Sequence, residues 1–438
     1  MTLDPPLVGA LVFALLFLQI ILHIPIGVAL GVSGLVGVGM TAGFGPALQL
    51  FATEPAAVFS NKELALLPLF ILMGTFAGAA GLSGDLYRLV NAFVGHWRGG
   101  LSFATIGACA GFGSVCGSSL ATAATMSRVA LPEMTRRGYQ PGLAAGAIAA
   151  GGTLGMLIPP SIVMVVYGFL TDQFILTLFA AALIPGAIAV LFHFLAIGLL
   201  VRLRPDIAPA GERVRWSQRM KELYAAKAVA VLVLLVAGGI YSGIFTVNES
   251  AAFGAVFTFG IWAIRKRFDR RSLWTVLIEA GSTTAVIYLV IIGAQIFTYA
   301  LTLSELPELI VAWIGGLNFA PLAVIFMLLV MYIVLGAIFE TISAMVITLP
   351  FVFPLVVGLN YDPIWWGIIN IMVIEIGMIT PPIGLNVFVL HKMAPHVPVK
   401  EIFRGTFPFL GADILRLILL TLVPALTLWL PDALGLAR

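Results

Sequence analysis

The sequence predicts an all-α polytopic membrane protein of about ten spanning helices with two re-entrant hairpins. The chain is 61% hydrophobic and only 10% charged over 438 residues, where a soluble domain carries roughly a quarter charged residues. Apolar runs of about 20 residues, the length a helix needs to cross ~30 Å of hydrocarbon, recur from end to end. Two runs are interrupted at their centres by polar, glycine-bearing stretches, and two others by Pro-Pro. Strand alternation is absent, so the spans are helices and not a barrel.

The elements follow in order. Apolar runs occupy 7–23, 25–43 and 63–80. The N-terminus, MTLDPPLVGA, has neither a basic leader nor a small-residue cleavage site, so 7–23 reads as a mature helix. An amphipathic stretch, LSGDLYRLVNAFVGHWRGG, covers 82–100, and the run 101–131 is broken by GFGSVCGSS. Runs at 142–169 and 174–201 lead to the longest polar segment, 202–227, where Trp216, Met220 and Leu223 predict a helix lying flat in the interface. Further runs are 228–245, 251–264 and 282–303, then an amphipathic piece at 304–318. The run 320–358 is broken by FETIS, and 362–390 and 407–430 complete the chain.

Lys and Arg favour the cytoplasmic side. They cluster at 88–98, 136–137, 202–227, 265–271 and 392–404, while the short links 44–62, 171–173, 246–250 and 359–362 hold one basic residue, Lys62, among several acids. All clusters share one face only if 101–131 and 320–358 each enter and leave on the same side. Of 23 basic residues, Lys62 and Arg438 are then left outside, and both termini are periplasmic.

The interruptions repeat. GSVCGSSLATA (113–123) and GAIFETISAMV (336–346) mark the two hairpins, and each is followed at nearly equal distance by Gly-Met-x-x-Pro-Pro, at 155–160 and 377–382. This pairs Ser118 with Thr341. The second unit lies upside down relative to the first, which is the arrangement that points to a transporter site. Pro159 and Pro381 open the breaks. Proline lacks an N–H and its ring clashes one turn back, so two in succession free carbonyls that lipid does not tolerate unless they line a polar cavity. Glycines such as Gly152 and Gly377 let a ligand approach the backbone. Freed carbonyls suit a cation and helix N-termini suit an anion.

Candidate ligands follow. Ser118, Ser119 and Thr122 in hairpin one, with Thr153 ahead of the first Pro-Pro, form a neutral oxygen set for Na⁺. Hairpin two offers Glu340, Thr341 and Ser343, and its partner helix Glu375, Thr380 and Asn386. Glu340 either ligates a cation or caps the second arm. Glu375 is an acid at membrane depth, with a structural pairing to hairpin two as its alternative. Arg128 either snorkels to the interface or attracts an anion, and Asp413 and Arg416, three apart, are expected to pair.

Other classes are disfavoured. Cys109 and Cys116 are the only cysteines, and the five histidines have no ligand spacing, so no metal or redox cofactor is expected beyond a coupling ion. No basic nucleic-acid-binding tract stands out. A serine hydrolase built on Ser118 lacks a nearby base, and an open channel does not need gated hairpins on opposite faces.

At 116–168, CGSSLATAATMSRVALPEMTRRGYQPGLAAGAIAAGGTLGMLIPPSIVMVVYG, the chain resembles the large permease (M) subunit of tripartite ATP-independent periplasmic (TRAP) transporters, as does IEIGMITPPIGLNVFVL at 374–390. The resemblance covers essentially the whole chain and implies the elevator fold of the ion-transporter superfamily. Scaffold segments would be 1–100, with its interfacial arm, and 170–319, with the loop 202–227. Mobile segments would be 101–169 and 320–390, and 391–438 would form a C-terminal helix. The resemblance further implies sodium-coupled uptake of an organic acid anion at the bacterial inner membrane, a small four-helix membrane subunit that is not fused here, and a periplasmic substrate-binding protein. Family sodium sites lie between hairpin tips and broken helices. They implicate Ser118, Ser119, Gly152 and Thr153 in one half and Glu340, Thr341, Gly377 and Thr380 in the other. Some members carry Asp where this chain has Thr122, so no carboxylate ligand is carried over there. The competing reading is a standalone sodium–dicarboxylate symporter.

Overall fold

A computed structural model describes residues 4–265, 269–317 and 319–436. The described residues form helices joined by short turns, with no strand among them. Helices α1 (Pro5–Ile21) and α2 (Ile26–Thr41) meet at a turn around His23. They are followed by α3 (Phe44–Ser60), α4 (Leu66–Ala80) and α5 (Leu82–Val94). Gly81, at φ 78°, supplies the left-handed residue at the 65° bend between α4 and α5. Hairpin one is α6 (Gly100–Cys116) and α7 (Ser119–Arg136), and the first broken helix is α8 (Pro141–Leu157) with α9 (Ile162–Thr171). Then come α10 (Ile175–Leu203), α11 (Trp216–Ala225) and α12 (Lys227–Val233), which runs through a π turn (Leu234–Gly238) into α13 (Gly239–Tyr241). Helices α14 (Val247–Ile264), α15 (Arg270–Leu303) and α16 (Leu306–Gly316) precede hairpin two, α17 (Pro321–Ile338) and α18 (Thr341–Gly358). The second broken helix is α19 (Pro363–Gly377) with α20 (Leu385–Met393), and α21 (Val399–Leu422) and α22 (Ala425–Ala433) end the chain.

Both interrupted runs fold back on themselves. Thr105 on α6 donates to Met134 Sδ on α7 across hairpin one, and the hydroxyls of Tyr332 on α17 and Thr348 on α18 pair across hairpin two. Such contacts between residues on opposite sides of a break require antiparallel arms. The preceding helices repeat as well: α5 follows α4 and packs on hairpin one, and α16 follows α15 and packs on α18.

Packing divides the helices by their neighbours. Helix α2 runs along α15, and α14 along α4, with α1 and α3 beside them. The α2–α15 seam is made of small residues, as membrane helices require for close approach. A Cβ on Gly34 would lie 2.6 Å from the backbone of Ile296, and one on Gly293 would lie 2.2 Å from the Gly27 carbonyl oxygen. The hairpins and broken helices pack with α10 and α21: α21 lies along α8, and α10 touches α6, α8, α9, α19 and α21. Helix α10 falls within the segment 170–319 that the resemblance implied as scaffold, and an unbroken apolar run carries no mark of its neighbours.

Several sequence expectations change. The segment 44–62 is not an irregular link but holds α3, a surface helix whose buried residues are Ala47 and Val58. Polar residues Gln49, Thr53 and Glu54 kept it below the hydropathy of a span. Helix α14 begins within the expected link 246–250, where Thr246 and Glu249 form a capping box. Helix α15 reaches 34 residues, well beyond 282–303. Among the described residues six helices are long and apolar enough to span, or up to nine if each bent pair counts once. Glycine and proline breaks cut several apolar runs into helices of 10–17 residues, shorter than ~30 Å of hydrocarbon demands. The basic cluster at 265–271 lies partly outside the described residues, as do the extreme termini.

Candidate functional site

Each hairpin begins its second arm with a side-chain cap. Ser118 Oγ accepts from Ala121 N at 3.4 Å in hairpin one. Glu340 Oε2 accepts from Ile342 N and Ser343 N at 3.1 and 3.4 Å in hairpin two. Capping satisfies amides that a helix start leaves free, so the capping alternative for Glu340 is the one adopted. The caps also reset the repeat by one residue. Ser118 corresponds to Glu340 and Ser119 to Thr341, not Ser118 to Thr341, because helix starts rather than letter matches define the register.

The first residues of the two second arms converge. Ser119 Oγ donates to Met378 Sδ at 3.6 Å. Thr341 Oγ1 donates to Glu375 Oε1 at 2.6 Å and lies 3.0 Å from the same sulfur. One methionine, from the second Gly-Met-x-x-Pro-Pro, thus links both tips. Ahead of these buried hydroxyls is a cavity of about 770 Å³. Gly117 and Ser118 from one tip and Glu340 and Ser343 from the other line it, facing the α1–α2 turn at His23 and α15 at Ser282 and Thr283.

Glycines seat each hairpin on its broken helix. A Cβ on Gly113 would lie 2.5 Å from Gly155 Cα, and one on Gly377 would lie 2.6 Å from Gly336 Cα. The glycine of each Gly-Met motif therefore meets the glycine one turn before its own hairpin tip. Beyond the breaks the halves interlock. Helix α9 packs on α18 and α19, where Tyr167 donates to the Pro363 carbonyl at 2.7 Å. Helix α20 packs on α7 and α8, where Asn386 Nδ2 donates to the Ala149 carbonyl at 3.3 Å.

The remaining candidates separate by what their oxygens do. Around Gly152 and Gly155 the backbone oxygens of Ser119 and Ser118 approach, with Thr122 Oγ1 and Asn386 alongside. Thr122 Oγ1 and Asn386 Oδ1 are buried with no hydrogen-bond partner among the described residues. Buried oxygens without donors are costly unless something fills the vacancy, and neutral oxygens suit a hard cation. Thr153 and Thr380 donate to the carbonyls of Ala150 and Ile376, each at 2.7 Å. Their lone pairs, not their protons, remain for a ligand. The helix breaks at Pro159 and Pro381 are present, and both Pro-Pro bonds are cis. In the second half the carbonyls freed by Pro381 and Pro382 are already engaged: Gly377 O accepts from Thr380 N at 2.8 Å and Met378 O from Asn386 N at 3.2 Å. Local turns have absorbed oxygens that the proline argument had left bare.

Sequence reasoning passed over Met378 because thioether sulfur is a weak acceptor, although its place in the repeated motif marked it. It also passed over His193 on α10. Asp413 and Arg416 pair at 2.9 Å as expected, and His193 Nε2 joins Asp413 at 2.9 Å with all three side chains buried. Arg128 has no ion-pair partner among the described residues and lines a separate cavity of about 560 Å³ with Arg88 and Glu279.

Against known proteins, the family model described as "Tripartite ATP-independent periplasmic transporter, DctM component" matches residues 13–426. The chain is 35% identical over 392 residues to the C4-dicarboxylate TRAP transporter large permease protein DctM of Pseudomonas aeruginosa, covering 89% of this chain and 90% of that one. It is 34% identical over 399 residues to the protein of the same name from Vibrio cholerae, covering 86% and 87%. Among solved structures, the Alcanivorax borkumensis YdaH transporter superposes with a TM-score of 0.60 at 16% identity, over 90% of each chain, which supports the fold alone. The chain belongs to the DctM-component family of TRAP transporters: it is a multi-pass membrane large permease, not an enzyme.

Proposed function

We propose that this chain imports an organic carboxylate together with Na⁺, as the large membrane subunit of a bacterial inner-membrane system. The observation that carries this is the convergence of two hairpin tips on one cavity, with Ser119 and Thr341 joined through Met378 behind it. The oxygens of Ser118, Ser119, Thr122 and Asn386 around Gly152 and Gly155 would hold one sodium. Thr341 and Thr380, with the remaining lone pair of the Gly377 carbonyl, would hold sodium in the second half. The substrate anion would occupy the cavity, where the α7 N-terminus, capped only by the neutral Ser118 hydroxyl, favours negative charge. That the permeases of P. aeruginosa and V. cholerae are named for C4-dicarboxylates favours a small dicarboxylate.

Movement would be an elevator shift. The mobile body would comprise the hairpins and broken helices with α10 and α21, since these pack on one another. The scaffold would comprise α1–α4 and α12–α15, with α5 and α16 as arms. A small four-helix subunit and a periplasmic binding protein would complete the system, and both termini would be periplasmic. Family membership disfavours the standalone symporter.

The test is reconstitution of the chain with its small subunit and binding protein, and uptake of labelled C4-dicarboxylate with and without a sodium gradient. Ser119→Ala and Thr341→Ala should each weaken sodium activation. Unchanged sodium activation in both variants rejects the site.

A further inference from the structure

A second built feature lies away from the hairpin tips, where α10 ends and α8 and α21 begin. The three helices enclose a groove of about 780 Å³. Its base is rigid. Helix α21 presses on α8 so closely that a Cβ on Gly405 would lie 1.7 Å from the Gly142 carbonyl oxygen, and one on Gly146 would lie 2.2 Å from the Gly405 backbone. One wall is apolar and open. Leu200 and Leu203 belong to the last turns of α10, Phe407 belongs to α21, and Leu203 is 70% and Phe407 50% exposed. At the rim stand Arg204, the C-cap residue of α10, and Arg404, in the second turn of α21. Neither arginine has an ion-pair partner among the described residues. Glu401 also lines the groove, so its side chains carry two positive charges against one negative.

We propose that this groove binds one anionic phospholipid, with its phosphate between Arg204 and Arg404 and its acyl chains along Leu200, Leu203 and Phe407. Each feature selects for this occupant. Guanidinium groups from two helices suit phosphate oxygens, which they hydrogen-bond as charge-assisted pairs. Basic pockets between membrane helices at the cytoplasmic boundary recognise acidic headgroups. Leu203 and Phe407, exposed at the end of a span, meet hydrocarbon more favourably than water. A free phosphate would use the arginines and leave that wall unused. The site needs only the membrane embedding of the chain and is independent of the sodium and substrate assignments. The lipid would sit on helices of the proposed mobile body and would travel with it.

The experiment adds dioleoyl-phosphatidylglycerol, dioleoyl-phosphatidylcholine or inorganic phosphate to the full-length chain in detergent. It reads thermal unfolding, and lipid retention by native mass spectrometry. Phosphatidylglycerol should raise the midpoint by about 4 °C and remain bound as a single adduct, while phosphatidylcholine and phosphate do neither. Arg204→Gln/Arg404→Gln should lose the shift and cut retention about tenfold. Arg202→Gln, next to the groove but not lining it, should keep both. Leu203→Ser, at a position that is mostly exposed, should weaken retention with both arginines in place, so the test survives a double variant that fails to fold. The proposal is overturned if phosphatidylcholine or phosphate matches the shift. It is equally overturned if the groove variants retain phosphatidylglycerol as the unaltered protein does.

Discussion

Replacing Gly377 by alanine should unseat hairpin two from its broken helix. The new Cβ would lie 2.6 Å from both the Cα and carbonyl carbon of Gly336 and 2.7 Å from the Ala337 nitrogen. Carbon atoms rest at about 3.5–4.0 Å, so the arm must retreat by roughly 1 Å. Every obstructing atom is backbone, and no rotamer change relieves the contact. Overpacking of this kind costs about 1–3 kcal/mol. The same retreat stretches the 2.6 Å hydrogen bond from Thr341 to Glu375 beyond useful length. Since about 1.4 kcal/mol is a factor of ten in an equilibrium constant, the sodium concentration for half-maximal uptake should rise roughly tenfold. The inverted half predicts a milder outcome. At Gly155 a Cβ would lie 2.7 Å from Thr122 Oγ1 and 3.0 Å from the Ser118 carbonyl oxygen, so the closest obstruction is a side chain and Gly155→Ala should cost less. Thr122→Ala on that background should restore thermal stability. Sodium-dependent uptake in proteoliposomes and thermal unfolding in detergent read both effects. A Gly377→Ala protein with unaltered midpoint and sodium activation within about twofold of the parent would refute the reasoning.

Other substitutions test neighbouring parts. Thr341→Val keeps the side-chain shape but leaves the buried Glu375 carboxylate without its hydrogen bond, at about 1–3 kcal/mol; thermal unfolding should show the loss, and Thr341→Ser should recover most of it. Asp413→Asn weakens a buried group paired to both Arg416 and His193, and should destabilise by up to about 3–5 kcal/mol, read as a lower unfolding midpoint. Gly34→Ala places a Cβ 2.6 Å from the Ile296 backbone and should cost about 1–3 kcal/mol, seen as reduced yield and stability of the folded chain.

Much of the architecture was legible because a bilayer restricts what a chain can do. Apolar length, Lys and Arg placement, and paired interruptions each have one economical reading in lipid. They located both hairpins and both Pro-Pro breaks to within a few residues. The register of the hairpin repeat was misjudged by one, because letters were aligned while the caps Ser118 and Glu340 define the helix starts. Helix α3 was missed because it lies on the surface, where span hydropathy does not apply. Helix α10 packs on α6, α8, α9, α19 and α21, neighbours that its unbroken apolar faces do not encode. Met378 and His193 were overlooked because a lone methionine or histidine gains meaning only from what it touches.

Residue order alone was enough for a helical membrane protein with two matching, interrupted units, since unsatisfied backbone groups in hydrocarbon leave no other use for Gly-Met-x-x-Pro-Pro beside a broken apolar run. Which side chains meet was left to the packing of distant helices. Ser119 and Thr341, far apart in the chain, both reach Met378, while Asn386 crosses to Ala149 in the opposite half. Those meetings depend on helix phase and on glycine-to-glycine contact at fractions of an ångström, which local sequence patterns do not encode.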